Sequence, residues 1–115
     1  EIMILATVRM TLPPQRLGQI SKTLKSMATE TGIQSGCLSS RLYHDENEEA
    51  VFMFEQVWRN QGYLDLYLRS EHYRRMLLVM EMAGEPPEIK FQTISEPAGI
   101  EVIEKARGCK RNGDV

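Results

Sequence analysis

The sequence has no long hydrophobic run, almost no net charge and only two cysteines. No stretch approaches the roughly 20 apolar residues that a membrane-spanning helix needs, and the start has no basic leader typical of a signal peptide. The formal net charge of −2 offers no field that would attract nucleic acid or an anionic membrane. Two cysteines without metal-binding spacing make no disulfide framework, and we expect free thiols in a reducing compartment. These absences favour a cytoplasmic protein that binds neither nucleic acid nor a membrane and holds no metal.

What is present fits one small globular domain. A chain of 115 residues is long enough to bury a core without a metal or a disulfide, and too short for a second core. Hydrophobic residues make up 42% of the chain and charged residues 26%, the proportions of an ordinary globular protein. Because the end of the sequence is polar and contains glycine, we predict a domain over residues 1–107 and a flexible tail over residues 108–115.

Hydrophobic periodicity predicts the secondary structure. Alternating patterns predict four strands, over residues 2–10, 37–44, 50–58 and 88–96. Apolar residues at three- and four-residue spacing predict a helix of about 17 residues that ends at Gly32. The same spacing over residues 60–83 predicts either one kinked helix or two short ones, with a break near Ser70. Residues 100–107 fit a strand extension or a short helix equally well.

The order of these elements, β-α-β-β-α-β, predicts a ferredoxin-like α+β fold. Right-handed crossovers place both helices on one face of a four-stranded antiparallel sheet. The third strand is apolar on both sides, with Phe52, Phe54 and Trp58 on one side and Val51, Met53 and Val57 on the other. Since the helices cover only one face, a second copy of the chain is the simplest cover for the other. The pattern therefore predicts a homodimer that pairs through the sheet face, as a dimeric α+β barrel.

Four short segments resemble one known family. They are the end of the third strand, Glu55-Gln56-Val57-Trp58, the helical segment Leu68-Arg69-Ser70-Glu71-His72-Tyr73, the start Ile4-Leu5-Ala6-Thr7-Val8, and residues 100–107. Together they resemble the antibiotic biosynthesis monooxygenase family over about residues 2–107. The resemblance implies a small dimeric α+β barrel. Several members oxidise quinols, anthrones or related polyketide aromatics with molecular oxygen and without metal or flavin.

The sequence departs from the family at two points. Many members carry a histidine five residues before the position of His72, where this chain has Tyr67. A haem-degrading branch uses an asparagine on the first strand, where this chain offers Thr7 and Arg9. The second departure argues against haem as a substrate.

Oxygenation without a cofactor needs a base, a partner for an oxyanion and a dry cavity. The candidate catalytic residues are His72 as the base, Tyr67, and Arg9 as the partner of the oxyanion. The candidate substrate-binding residues, which would contact a flat aromatic ring, are Trp58, Phe54 and Tyr63. Tyr67 and His72 converge only if the helical segment breaks near Ser70.

We therefore predict a cofactor-independent monooxygenase that oxidises a quinol or a polycyclic, polyketide-like aromatic with O2. The alternative is a non-catalytic dimeric module on the same fold that binds a small molecule or haem; a dimerisation module without a ligand is a third interpretation. Structural roles compete with each catalytic one. Trp58 is a candidate for core packing, and Tyr63 and Tyr67 have the spacing of a helical packing pair. His72 follows a capping serine, so we expect it near the surface and expect His72→Ala to fold normally.

Overall fold

The computed structural model describes residues 2–108. Its helices and strands are, in chain order, β1 (Met3–Thr11), a 3₁₀ turn (Pro14–Arg16), α1 (Leu17–Gly32), β2 (Cys37–His44), β3 (Val51–Trp58), α2 (Gln61–Leu68), α3 (Glu71–Met82), β4 (Glu88–Ile94) and α4 (Ile100–Ala106). The predicted order of elements is confirmed, and the ambiguous segment near the end is a helix. Most of the predicted tail, residues 109–115, lies outside the described residues. Within residues 2–108, no helix is both long enough and apolar enough to cross a membrane.

Two side-chain caps divide the second helical segment. The Asn60 side chain accepts a hydrogen bond from the backbone N–H of Tyr63 and starts α2. Ser70 Oγ accepts from the backbone N–H of Tyr73, at 3.1 Å, and starts α3. The same hydroxyl donates to the Tyr67 carbonyl at 2.6 Å, so it also holds the end of α2. Of the two predicted alternatives, the two short helices are therefore correct, and Ser70 makes the break.

The sheet has the strand order β2-β3-β1-β4, and every neighbouring pair is antiparallel. The register pairs Ile4 with Trp58 and Val8 with Phe54, so these side chains share one face. That face is buried beneath α1, α2 and α3, as the alternation in the sequence predicts. The ferredoxin-like arrangement is confirmed.

The buried side chains form two clusters along the sheet. One cluster gathers Phe54 and Met10 with apolar residues of α1 and α3. The other gathers Trp58, Ile4, Leu64 and Tyr67 beneath α2. Trp58 and Phe54 therefore lie on one face of β3 but in different parts of the core.

The opposite face of the sheet carries half-buried apolar side chains. They belong to three strands and are Met3, Leu5, Met53, Val57 and Ile94. Because α1, α2 and α3 pack on the other face, none of these three helices covers these side chains. α4 buries none of its residues. This sheet face is called the open face below.

Candidate functional site

The buried polar residues of the described chain lie in one place. Thr31, Gln56 and His72 come from α1, β3 and α3, and they are 0%, 4% and 8% exposed. A buried polar group costs free energy unless it is hydrogen-bonded, and no buried side-chain nitrogen or oxygen among the described residues lacks a partner. Gln56 is hydrogen-bonded to Tyr67, Thr31 is hydrogen-bonded to His72, and the two pairs adjoin one another.

The inner end of this series of polar contacts is the indole of Trp58. Trp58 is fully buried, and its Nε1–H donates to Gln56 Oε1 at 2.9 Å. Gln56 Nε2 in turn donates to Tyr67 Oη at 3.1 Å. The rings of Trp58 and Tyr67 are stacked, with centroids 4.6 Å apart. Because an indole N–H can only donate, it fixes the orientation of the Gln56 amide.

At its outer end, this series of polar contacts reaches an ion pair at the surface. The Thr31 side chain lies close enough to the Tyr67 hydroxyl to lower its pKa, and Thr31 Oγ1 lies 2.7 Å from His72 Nε2. His72 Nδ1 lies 3.4 Å from Glu30 Oε2 and 3.1 Å from Arg75 Nη2. Arg75 and Glu30 are paired at 2.9 Å. These polar contacts run from the fully buried indole of Trp58 through Gln56, Tyr67, Thr31 and His72 to the partly exposed pair Glu30 and Arg75, and we call this series of residues the relay.

Burial keeps the relay neutral. Burial raises the pKa of Tyr67 to about 12, although Thr31 and Gln56 act in the opposite direction. Burial also lowers the pKa of His72; the Glu30 carboxylate opposes this effect, and the Arg75 guanidinium adds to it. At neutral pH the phenol is therefore protonated and the imidazole is uncharged, so the buried part of the relay holds no charge.

A surface pocket of about 220 Å³ lies beside the relay. It is lined by Gln34, Ser35, Tyr63, Leu66, Tyr67 and Ser70. Gly36, with φ +80°, adopts a left-handed conformation that suits glycine. A Cβ at this position would overlap the Tyr63 ring. The close approach of Gly36 therefore fixes one aromatic wall of the pocket.

The structure brings together four of the six predicted site residues. Tyr67 and His72 converge across the break at Ser70, with ring centroids 5.9 Å apart. Trp58 stacks on Tyr67, and Tyr63 packs against the same cluster. We expected His72 near the surface, and this prediction is wrong. His72 is buried because α1 places Thr31 against it.

Arg9 and Phe54 lie elsewhere. Alternation along β1 buries Val8 and Met10 among the helices and directs Arg9 to the open face. There its guanidinium lies 3.4 Å from Glu48 and 3.8 Å from Asp45. Phe54 is fully buried in the other core cluster. Neither residue lies with the relay.

Sequence reasoning missed two buried members of the relay, although each left a signal; it also missed the surface pair Glu30 and Arg75. Gln56 stands between Phe54 and Trp58 in the alternation of β3, where an apolar residue would be expected. Thr31 continues the apolar stripe of α1, one turn after Met27. A polar residue at a core position indicates a buried hydrogen bond, but it does not name the partner.

Other parts of the described surface offer less chemistry. A depression of about 290 Å³ between α1 and α3 is lined by residues such as Arg16, Thr23 and Val79. It contains none of the buried polar residues. In the part of the chain that the structure describes, no group of three or more His, Cys, Asp or Glu residues is placed to hold a metal ion. The relay and its pocket are therefore the strongest candidate site.

Comparisons with known proteins bear on the same region. The model of the antibiotic biosynthesis monooxygenase family matches residues 3–77, which include every residue of the relay. An uncharacterised protein of Synechocystis sp. is 33% identical over 64 residues, which cover 55% of this chain and 44% of that protein. The match therefore spans less than half the length of that relative.

Solved structures share the fold. A conserved protein of Methanosarcina mazei is 22% identical with a TM-score of 0.73, covering 79% of this chain and 91% of that one. A Mycobacterium tuberculosis protein is 21% identical with a TM-score of 0.75, covering 84% and 99%. A structure named antibiotic biosynthesis monooxygenase is 16% identical with a TM-score of 0.69, covering 83% and 99%. At these identities the likeness supports the fold alone.

Proposed function

The chain belongs to the antibiotic biosynthesis monooxygenase family, and we propose that it is a cofactor-independent monooxygenase of a phenolic aromatic, such as a quinol. One observation carries this proposal: the buried phenol of Tyr67 lines an aromatic pocket, and the ring of the buried His72 lies beside it with centroids 5.9 Å apart. Removing a phenolic proton is the step that such a protein must assist.

The proposed reaction begins when the substrate loses its phenolic proton. The electron-rich anion passes one electron to O2, and the two radicals combine to form a peroxide anion at a ring carbon. This anion takes up a proton and becomes a hydroperoxide. A hydroperoxide on a carbon that still bears hydrogen loses water and becomes a carbonyl. One oxygen atom enters the product and the other leaves as water, so no external reductant is needed. The protein accepts the first proton and excludes bulk water from the intermediates.

The pocket limits the size of the proposed substrate. Its volume of about 220 Å³ lies below the roughly 300–1,000 Å³ of sites for drug-sized ligands. Tyr63 and Tyr67 line it, and Trp58 stacks behind Tyr67. We therefore propose a substrate of one or two fused rings as the best fit; a larger polycyclic ring requires the pocket to widen.

Oxygen uptake by metal-depleted protein tests the proposed activity. The substrates are hydroquinones, dihydroxynaphthalenes and anthrones, each compared with its rate of autoxidation. We expect uptake by the unmodified protein and at least about a tenfold loss in Tyr67→Phe, in the range of general acid–base effects. Arg9→Gln, on the opposite sheet face, is the matched control and should keep its rate. Uptake that is absent across the panel, or equal in Tyr67→Phe, would overturn the proposal.

The alternative function, a binder without catalysis, predicts a different result. Trp58 is the single tryptophan of the chain, so its fluorescence reports on this site alone. Quenching by an aromatic ligand without oxygen uptake would favour the binding module. Quenching together with uptake would favour the monooxygenase.

We also propose that residues 1–107 form a homodimer through the open face. Its apolar side chains, Leu5, Met53 and Val57 among them, are only half-buried within one chain. The register places Leu5 directly beside Val57, which makes them one continuous patch. A second copy would bury that patch and complete the dimeric α+β barrel.

A further inference from the structure

The strand β4 has an apolar side that its own chain leaves about half exposed. Alternation along β4 places Ile89 and Phe91 on one side of the strand and polar or charged residues on the other. The register pairs Phe91 with Ala6, which is buried on the face where α2 packs. Ile89 and Phe91 are nevertheless 44% and 48% exposed. An alternating strand indicates a half-buried position, and the described helices do not provide it here.

The helix α4 also lacks a partner surface. Its apolar residues lie on one side of the helix, and its charged residues lie on the other. Ile100, Val102 and Ile103 are 56%, 55% and 59% exposed, and α4 buries none of its residues. This segregation is typical of a helix that packs on an apolar surface. Since α4 does not cover β4 of its own chain, we look for that surface on another molecule.

The exposed area of the chain is large enough for such a contact. The chain exposes 8059 Å², whereas a compact monomer of its mass, 13.2 kDa, exposes about 6,400 Å². The excess of about 1,600 Å² exceeds the roughly 800 Å² that each partner contributes to an interface of standard size.

We propose that α4 of each copy packs its apolar side on Ile89 and Phe91 of a second copy. The proposal goes beyond the oxygenase activity, and it rests on the homodimer proposed above. A second copy fits because both uncovered surfaces, the helix and the strand, occur on the same chain. A two-fold axis therefore forms both contacts at once and leaves neither surface without a partner.

The position of β4 makes this contact continuous with the open face. β4 is the last strand of the described sheet and lies next to β1. Leu5 and Ile94 belong to the open face and lie on these two strands. A segment of the second copy can therefore pass round the edge of β4, from the open face to Ile89 and Phe91. The same segment would shield an edge strand that could otherwise pair with other chains.

A disulfide between two different chains tests the contact. One chain carries Phe91→Cys, the other carries a longer tag and either Ile103→Cys or Ile100→Cys, and serine replaces the native cysteines in both. A disulfide needs Cα atoms within about 7 Å of each other, so we expect a covalent product with one chain of each kind. Glu101→Cys, on the charged side of α4, is the matched control and should give little of that product.

Two results of this experiment would overturn the proposal. One is a yield of mixed product, for both Ile103→Cys and Ile100→Cys, no higher than that of Glu101→Cys. The other is a disulfide that forms only within a chain carrying both Phe91→Cys and Ile103→Cys, because α4 would then cover its own β4.

The dissociation constant of the dimer, from light scattering on dilution, is the second readout. We expect Ile103→Glu to raise this constant at least about tenfold, as for a residue that contributes to binding. Lys105→Glu introduces the same residue on the charged side of α4 and changes the net charge more. As the control, it should leave the constant within about twofold.

The outcomes separate this contact from the proposals on which it rests. Equal dissociation constants for Ile103→Glu and Lys105→Glu would overturn the α4 contact, and the open-face dimer would stand if Leu5→Glu still dissociates it. A monomeric unmodified protein would overturn both. Neither readout uses oxygen uptake, so a failure of the oxygenase activity leaves this test unchanged.

Discussion

Gln56→Leu tests the energetic role of the relay because Gln56 joins its two aromatic members. The substitution leaves the buried Trp58 N–H without an acceptor, which costs about 1–3 kcal/mol. Tyr67 also loses one donor, and the net contribution of such a neutral hydrogen bond is smaller, about 0.5–1.5 kcal/mol. The greater apolar character of leucine offsets part of this sum. We expect the free energy of unfolding to fall by about 2–3 kcal/mol, or the Tm by about 8–12 °C.

Urea unfolding followed by fluorescence measures this change, with the slope of the transition checked for constancy. Gln19→Leu, at an exposed position of α1, is the matched control and should stay within about 0.5 kcal/mol. Tyr67→Phe and the double variant with Gln56→Leu complete a cycle. Because the two residues share a hydrogen bond, we expect their costs to be non-additive by about 0.5–1.5 kcal/mol.

Two results would refute this reasoning. A Gln56→Leu cost no larger than that of Gln19→Leu would mean that the buried amide stabilises nothing. Additivity within about 0.3 kcal/mol would mean that Gln56 and Tyr67 are not coupled. Either result would contradict the hydrogen bond between Gln56 Nε2 and Tyr67 Oη.

Three further outcomes follow from the structure. Gly36→Ala should lower the free energy of unfolding by about 2–4 kcal/mol, because φ +80° strains alanine and its Cβ overlaps Tyr63; Gly18→Ala, in open space on α1, should raise it by up to about 1 kcal/mol in the same urea assay. Burial lowers the pKa of His72, so the unfolded chain binds this proton more readily, and the free energy of unfolding should fall as the pH drops below about 6.5. That part of the pH dependence should be missing from His72→Gln, and identical pH curves would contradict the burial. Leu5→Glu should convert the proposed dimer to a monomer by light scattering at micromolar concentration, and an unmodified protein of monomeric mass would refute the dimer itself.

Local patterns along the chain predict the elements and the faces of the sheet. The alternation in β1 and β3 predicts which side chains lie beneath the helices, because successive residues of a strand must point to opposite faces. Ser70 predicts the break between α2 and α3, since its cap needs only neighbouring backbone groups. The same alternation places Arg9 on the face opposite Val8, so its separation from Trp58 is readable in the sequence.

The distance along β3 also predicts that two of the proposed substrate-binding residues lie apart. Phe54 and Trp58 are four residues apart on β3, which is about 13 Å at the rise of a strand. Two side chains at that separation do not hold the same small ring. The structure accordingly places them in different clusters.

The fold and the convergence of Tyr67 and His72 follow from the sequence, because periodicity, caps and crossover handedness act over short stretches of chain. The burial of His72, and the position of Thr31 between it and Tyr67, follow only from tertiary packing. Thr31 and His72 are 41 residues apart, and nothing local to either one names the other. A buried polar side chain shows in the sequence that it needs a partner, but the packing of α1 against α3 selects which partner it has.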